Sequence, residues 1–249
     1  SIKEEFIEDE LKVINKYFDR IIVLSLSLDK NIVKYVPGNA KIKFIRQRKL
    51  EIKYLPRFLA MLLRQEVVKE ILFPSKNNAK YELKIKLKSI FIYIYIATIV
   101  EKSLMNYEIE SDTILYSYWL SEAAFGLYFY KKRHPNIRCI SRAHGSDLYI
   151  DKNFLPFRKQ VLSLDQIHCI SKIGADHLYH NFSNKIKGKI YISRLGVFCN
   201  HSSPYRKEPI FYILSCSNII KLKRIDLIID SIEGINDIEI RWKHFGSGI

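Results

Sequence analysis

Glycine and proline are scarce, nine and seven in 249 residues, which argues against a collagen-like, linker-rich or disordered chain. Cysteine is also sparse. Cys139, Cys169, Cys199 and Cys216 form no C-x-x-C pair, so a zinc ribbon or dithiol redox centre has no support. Cys139, Cys169 and Cys216 sit in or beside apolar runs and are expected to be buried, reduced thiols in a cytoplasmic protein. No repeat period or low-complexity tract is present. The longest apolar run, residues 90–100, has eleven residues, short of the roughly 20 that span a bilayer. His168, His177, His180 and His201 show no spacing with acids that demands a metal. Acidic residues are in deficit, 26 against 41 Lys plus Arg, giving a formal charge of +15. That excess favours polyanionic partners such as nucleic acid, anionic lipid headgroups or phosphorylated ligands.

What is present is a regular alternation of elements. Residues 4–18 read as an amphipathic helix, with Phe6, Ile7, Leu11, Ile14 and Phe18 on one side. Residues 21–26 are a compact apolar run, expected as a buried strand. Residues 41–45 alternate Ile42 and Phe44 with Lys41 and Lys43, a half-polar pattern suited to a sheet edge. Residues 56–72 read as one helix, with Pro56 in its first turn and Leu59, Leu62, Leu63, Val67 and Ile71 on one face. Residues 80–106 carry mixed signals. Ile85 and Leu87 alternate with Lys84, Lys86 and Lys88 as in a strand, but the length favours a helix.

From residue 113 onward strands are expected over 113–119, 137–141, 167–170 and 189–193. Helices are expected over 120–133, 156–164 and 172–182, with Ser171 placed to cap the last. Lys131-Lys132-Arg133 puts cations at a helix C-terminus, and Pro135 closes that helix. Residues 200–209 are polar with two prolines and read as an interdomain linker. A strand over 210–215, a basic turn over 221–224, a helix over 224–232 and a strand over 238–242 follow. The alternation predicts an α/β fold, a parallel sheet with helices on both faces. The domain reading is an N-terminal domain over 1–205 and the opening of a second over 206–249. A first helix without a strand before it, and a last part with too few elements to close a core, suggest a chain truncated at both ends.

Two places carry chemistry. The first is Ser141-Arg142-Ala143-His144-Gly145-Ser146-Asp147, where an apolar strand delivers a cation, a histidine and an acid to the loop at its carboxyl end. Ligand sites of open α/β sheets form at that end, and Arg142 with His144 would suit a phosphate-bearing or hydroxyl-rich ligand. The competing reading is a structural turn in which Gly145 supplies unusual dihedrals and Asp147 an Asx-turn. The second is Lys221, Lys223 and Arg224, between a strand and a helix start. Cations there oppose the helix dipole and make an anionic ligand more plausible than a bare basic loop. Gly246-Ser247-Gly248 after the last strand is a short G-x-G.

Taken in order, these residues resemble the family 4 glycosyltransferases, which have the GT-B fold. The passage from Ser141 to Tyr149 resembles their H-G-x-D region. Ser215-Cys216-Ser217-Asn218-Ile219 with Lys223-Arg224-Ile225 resembles the strand, loop and helix that open the second GT-B domain. Phe245-Gly246-Ser247-Gly248 resembles the G-x-G after the next strand, and Glu5-Phe6-Ile7 with Glu10-Leu11 the first helix of bacterial polysaccharide members. The resemblance implies two Rossmann-like domains facing each other across a cleft. It implies retaining transfer of a sugar from a nucleotide-sugar to a glycan, often lipid-linked, acceptor in polysaccharide or lipopolysaccharide synthesis, without metal or cofactor.

Carried over residue by residue, His144 matches the catalytic histidine that faces the donor sugar, and Lys223 the lysine on the donor diphosphate. Asn218 stands where the family has a diphosphate-binding arginine. Gly145 and Gly246 fall on the donor side, and Arg142, Asp147 and Arg194 on the acceptor side or in support. The acidic E-x7-E segment of the donor site does not occur after Gly248, so this segment is expected to be inactive alone. The charge suits a peripheral position on the anionic inner face of the cell membrane. The alternative from another class is a non-catalytic module that binds RNA or an anionic surface. Nucleic acid is disfavoured, since aromatic RNP motifs and G-x-x-G clamps are missing.

Overall fold

The computed structural model describes residues 5–28, 36–45, 51–73, 81–149, 154–182, 186, 189–196 and 210–248. Cys199, His201 and the expected linker lie outside them, as does the Phe6 side chain. Helix α1 (Glu5–Ile14) turns Leu11 into the core and leads to strand β1 (Ile21–Ser25). Strand β2 (Ala40–Phe44) runs parallel to β1. Lys41 and Lys43 are exposed, while Ile42 and Phe44 are half-buried, as the alternation requires. Among the described residues β2 pairs with β1 alone, so it is an edge strand as expected. The Asn39 side chain donates to the carbonyls of Asn15 and Phe18 at 3.0 and 2.7 Å, fastening the turn before β2 to the end of α1.

Residues 56–72 do not form one helix. Helices α2 (Leu55–Leu62) and α3 (Gln65–Leu72) are separated at Leu63 and Arg64, where Arg64 is extended with φ −70° and ψ 139°. The break resets the helical phase. Met61 and Val67 are therefore the fully buried residues, while Leu59 and Leu63, which an unbroken period would turn inward, are 51% and 82% exposed.

The stretch with mixed signals is helix α4 (Leu83–Leu104). Its exposed start carries the alternating lysines, and its second half is buried without a break from Ile96 to Glu101. A helix buried on every side needs no amphipathic period. The Thr98 hydroxyl donates to the Ile94 carbonyl at 2.8 Å, satisfying it within the core. Helix α5 (Glu122–Arg133) lies so close to α4 that a Cβ on Gly126 would come within 2.8 Å of Val100 Cβ. Phe125, Phe129 and Phe157 are fully buried beside it, the first and last stacked at 4.0 Å. Each such side chain contributes about 1.5–3 kcal/mol of burial free energy.

Strands β3 (Ile114–Ser117), β4 (Arg138–Ala143), β5 (Gln166–Cys169) and β6 (Ile190–Ile192) form one sheet in chain order, all parallel. Helix α5 joins β3 to β4, the short α6 (Arg158–Val161) precedes β5, and α7 (Lys172–Phe182) joins β5 to β6. Gly174 N–H donates to Ser171 Oγ at 3.1 Å, the expected cap of α7. Cys139 and Cys169 are buried and free. Burial pushes both thiols up to about 12, so neither is a nucleophile at neutral pH. Because every crossover is parallel, all four carboxyl ends lie along one edge.

Ser1–Phe198 and Cys199–Ile249 are two compact units. In the second, β7 (Ile210–Cys216) and β8 (Glu239–Phe245) pair in parallel across helix α8 (Ile225–Glu233). Cys216, expected to be buried, is exposed. Among the described residues β7 pairs with β8 alone, and no residue of α8 is buried. Both units are thus α/β with parallel strands and helical crossovers, the Rossmann-like class expected.

Candidate functional site

In the first unit the site is built at the carboxyl end of β4. The strand runs two residues further than the sequence indicated, so Arg142 belongs to it, and His144 continues it with φ −115° and ψ 178°. A single 3-10 turn, Gly145–Asp147, then reverses the chain. Asp147 is buried and holds two loops together. Its Oδ1 accepts the His144 N–H at 2.5 Å and its Oδ2 the Leu120 N–H at 2.8 Å. The same Leu120 peptide is gripped from its other end, where Arg158 Nη1 donates to its carbonyl at 2.9 Å. The loop after β3 and the loop after β4 are therefore one hydrogen-bonded unit.

The His144 ring is 7% exposed as a residue. It lies against Trp119 at 4.2 Å and Tyr118 at 5.3 Å between centroids. Its Nδ1 is 3.9 Å from Asp147 Oδ2, too far for a hydrogen bond. The Asp147 backbone N–H faces the ring in a capping box, returning the bond that the Asp147 carboxylate accepts from His144, but neither ring nitrogen meets strict hydrogen-bond geometry with a described residue. The ring therefore keeps hydrogen-bonding capacity that its protein neighbours do not fully use.

Arg142 also meets Tyr118, 5.5 Å over its ring, and is held by Glu10 at 2.5 Å. Glu10 also accepts the Tyr116 hydroxyl at 3.2 Å. Burial opposes the charge on Arg142, but Tyr116, Glu10 and Tyr118 keep its pKa above the ordinary value. Burial and then the Arg142 charge push neighbouring His168 down, toward the neutral ring. Arg142 thus enters the site as part of an ion pair rather than as a free cation.

Gly145 is exposed and does not have a positive φ. A Cβ there would meet Tyr149 Cε2 at an ordinary 3.7 Å. The unusual dihedrals considered for it are not found. Arg194 is exposed just beyond β6. The register Ala143↔Cys169↔Ile192 puts it at the same edge as His144, two strands across.

In the second unit Ser217 N–H donates to the Phe245 carbonyl at 3.1 Å and Ile219 N–H to the Ser247 carbonyl at 2.9 Å. This zip sets Asn218 beside Gly246. Gly246 has φ 155°, and a Cβ would fall on the Ser217 carbonyl, so only glycine fits. The indole of Trp242 donates to Ser215 Oγ at 2.8 Å, which leaves the hydroxyl proton for His244 Nδ1 at 2.8 Å. His244 Nε2 then carries its proton toward the Ser217 carbonyl at 2.9 Å. Lys223 ends a one-turn 3-10 helix ahead of α8 and is exposed. Arg224, left-handed at φ 46°, caps α8 and pairs with Asp226 at 3.0 Å. Lys221 and Lys223 have no ion partner among the described residues.

The structure therefore gathers His144, Gly145, Asp147 and Arg142 at one loop, sets Arg194 along the same edge, and places Asn218, Gly246 and Lys223 in the second unit. Trp119, Tyr118, Glu10 and Arg158 were missed from sequence. The aromatic run Tyr116-Ser117-Tyr118-Trp119 at a strand's end was an available signal for the first two. Glu10 entered only through the first-helix resemblance, with no role assigned to it, and Arg158 had no signal. Among the described residues no cluster of metal-ligating side chains occurs.

No family model matches the chain, and no curated protein does. A solved structure that does match is a point mutant of S. aureus TarM in complex with fondaparinux, alpha-GlcNAc-glycerol and UDP. It shares 15% identity at a TM-score of 0.42, over 61% of this chain and 32% of that one. This chain thus spans about a third of that protein's length, and the likeness is too loose to identify the fold or the site.

Proposed function

We propose that the chain belongs to a retaining, metal-independent glycosyltransferase of GT-B organisation. It would move a sugar from a nucleotide-sugar to a glycan or lipid-linked acceptor in polysaccharide or lipopolysaccharide synthesis. The observation that carries this is the His144 ring: buried, walled by Trp119 and Tyr118, locked by the Asp147 capping box, and without a strict hydrogen bond at either nitrogen. Such a ring is ready to hydrogen-bond a sugar hydroxyl or the charge that develops as the glycosidic bond to the diphosphate breaks. The aromatic wall suits the apolar face of a sugar.

Lys223, ahead of the α8 N-terminus, adds fixed charge for the leaving diphosphate without metal. Asn218 can donate to a phosphate oxygen as a neutral substitute for arginine, and Gly246 lets a ligand approach the backbone. In this reading β1 and β3, each with one strand partner among the described residues, accept a strand between them and become one sheet. The acceptor side of the protein would lie on an anionic membrane. Leu55 and Leu59 of α2, Leu63 just beyond it, and Leu83 and Ile85 of α4 are exposed apolar residues, the last two alternating with Lys84 and Lys86 along the chain, a mixture suited to a headgroup layer. Among the described residues no helix is long and apolar enough to cross a membrane.

The test is transfer itself, measured with the product of the full reading frame, a panel of UDP-, GDP- and ADP-sugars, and membrane lipid extract. His144→Ala is expected to lower transfer by about 100-fold or more with the unfolding midpoint retained. Transfer that survives His144→Ala would overturn the proposal.

A further inference from the structure

The basic end of α5 has no part in that reading. Lys131 is occupied, by Asp165 at 2.9 Å and the Ile137 carbonyl at 2.7 Å. Lys132 and Arg133 instead face the break between α2 and α3. There Arg64, Gln65, Glu66 and Phe129 complete an open depression of about 480 Å³. Glu101 of α4 lies behind it with a fully buried side chain. Three guanidinium groups converge on that carboxylate: Arg133 at 2.9 Å, Arg57 at 3.4 Å and Arg64 at 3.7 Å.

One guanidinium neutralises Glu101. Lys132 is matched by Glu66 at 2.5 Å, which also accepts the Tyr128 hydroxyl at 2.9 Å. Two arginine charges are left in excess. They are not freely solvated, since the side chains of Arg57 and Arg64 are 26% and 23% exposed. Arg64 sits 4.1 Å over the Phe129 ring. Burial pushes the Arg64 guanidinium down from its ordinary value, and Arg133 and Arg57 push the same way against Glu101. Like charges held together in a half-buried place are unfavourable until an anion joins them. At 3.7 Å Arg64 makes no hydrogen bond to Glu101, so its planar fork is open to a ligand. Helix α3 starts at this point without a side-chain cap, adding the positive end of its dipole.

We infer that this depression is a second anion site that binds a phosphate monoester, gripped by Arg64 and Arg133 with Lys132 at its rim. The class follows from the charge and the geometry. Arg57 is not part of the lining and adds its charge from behind it through the shared Glu101; with it counted, a carboxylate would cancel one of the two excess charges, whereas a phosphate dianion cancels both and offers paired oxygens to a guanidinium fork. The site is in the first unit, involves none of the residues assigned to sugar transfer, and stands whether or not transfer is confirmed. Its phosphate comes either from a small soluble ligand or from a lipid headgroup.

Calorimetry and thermal shift with inorganic phosphate at pH 8, against chloride at equal ionic strength, test it directly. Vesicles of phosphatidylcholine with phosphatidic acid, compared with phosphatidylserine, form the second arm. Saturable phosphate binding is expected in at least one arm. Arg64→Gln should weaken it about tenfold through loss of a charge-assisted fork, Lys132→Gln by a smaller factor, and Lys172→Gln not at all. Binding to free phosphate assigns a soluble ligand; binding to phosphatidic acid alone assigns a headgroup. Should Arg64→Gln fail to fold, the largely exposed Lys132 decides through its own variant. No saturable binding in either arm, or binding unchanged in Arg64→Gln and Lys132→Gln, overturns the inference.

Discussion

His144 and His244 stand at the carboxyl ends of parallel strands in the two units, and their ring nitrogens are treated in opposite ways. His244 is spent on the scaffold. Trp242, Ser215, His244 and the Ser217 carbonyl form one directed chain, and both of its nitrogens are used. His144 is packed more deeply, yet apart from the Asp147 N–H of the capping box neither nitrogen meets a described residue in strict hydrogen-bond geometry. Its position is fixed instead through its backbone, by Asp147, and through its faces, by Trp119 and Tyr118. A histidine that holds the fold uses its polar atoms on protein. A histidine held by the fold through its backbone and ring faces leaves them able to serve a ligand, which is the role proposed for His144. An unmatched buried polar atom costs about 1–3 kcal/mol, so the aromatic packing and the Asp147 bonds must outweigh that in the free protein.

The comparison breaks most easily at Asp147, where the largest stability effect is expected. Both of its oxygens accept backbone N–H groups, and an ionised carboxylate is the side chain of this size with two acceptors. Asp147→Asn turns one acceptor into a donor that faces another N–H. The first unit should lose about 2–3 kcal/mol in urea unfolding, the range for hydrogen bonds to charged groups. A loss under about 0.5 kcal/mol would mean that the loops after β3 and β4 are not held as described, and that His144 is not preset.

A smaller effect is expected at Ser215, the counterpart in the second unit. Ser215→Ala removes the acceptor of the Trp242 indole and the donor to His244 Nδ1. Both partners are only half-buried, so water recovers part of the loss and about 1 kcal/mol is expected. The Trp242 emission should shift with it, while nothing measured at His144 changes. A Ser215→Ala protein as stable as the parent would show that His244 is not spent on the scaffold, and the contrast between the two rings would fail.

Much of this architecture was legible because strand and helix periods are local. The parallel α/β alternation, the cap at Ser171 and the helix over 172–182 all follow from neighbours in sequence. Helix α4 was readable by its length although its β-branched residues and alternating lysines pointed to a strand. The helix over 56–72 was not readable as two, since Arg64 bears no breaker signal and its extended backbone is set by tertiary contacts with Glu101 and Phe129. In the candidate site, His144 and Asp147 were visible as residues of one short loop. The Glu10–Arg142 pair joins residues 132 apart in the chain, and the Arg158–Leu120 bond joins residues 38 apart. Pairing at that range leaves no periodic trace. The exposure of Cys216 was misread for a related reason: an apolar run reports a strand, but how much of that strand is covered depends on what else the unit contains.

The smallest effect on stability is expected at Gly145, and it sharpens what the loop is for. Its backbone does not have a positive φ, and a methyl group there meets only an ordinary contact with Tyr149. The fold alone does not require glycine, in contrast to Gly246, where a side chain would strike the Ser217 carbonyl. Gly145→Ala should change the unfolding free energy by no more than about 0.5 kcal/mol, since restricting the unfolded chain favours the variant. If the exposed turn beside His144 is where a donor sugar approaches the backbone, the same methyl group occupies ligand space. The apparent donor KM of the full reading frame's product should then rise several-fold while its stability does not fall. Loss of stability without loss of donor affinity would make Gly145 a folding residue and leave the surface of the turn without a ligand role.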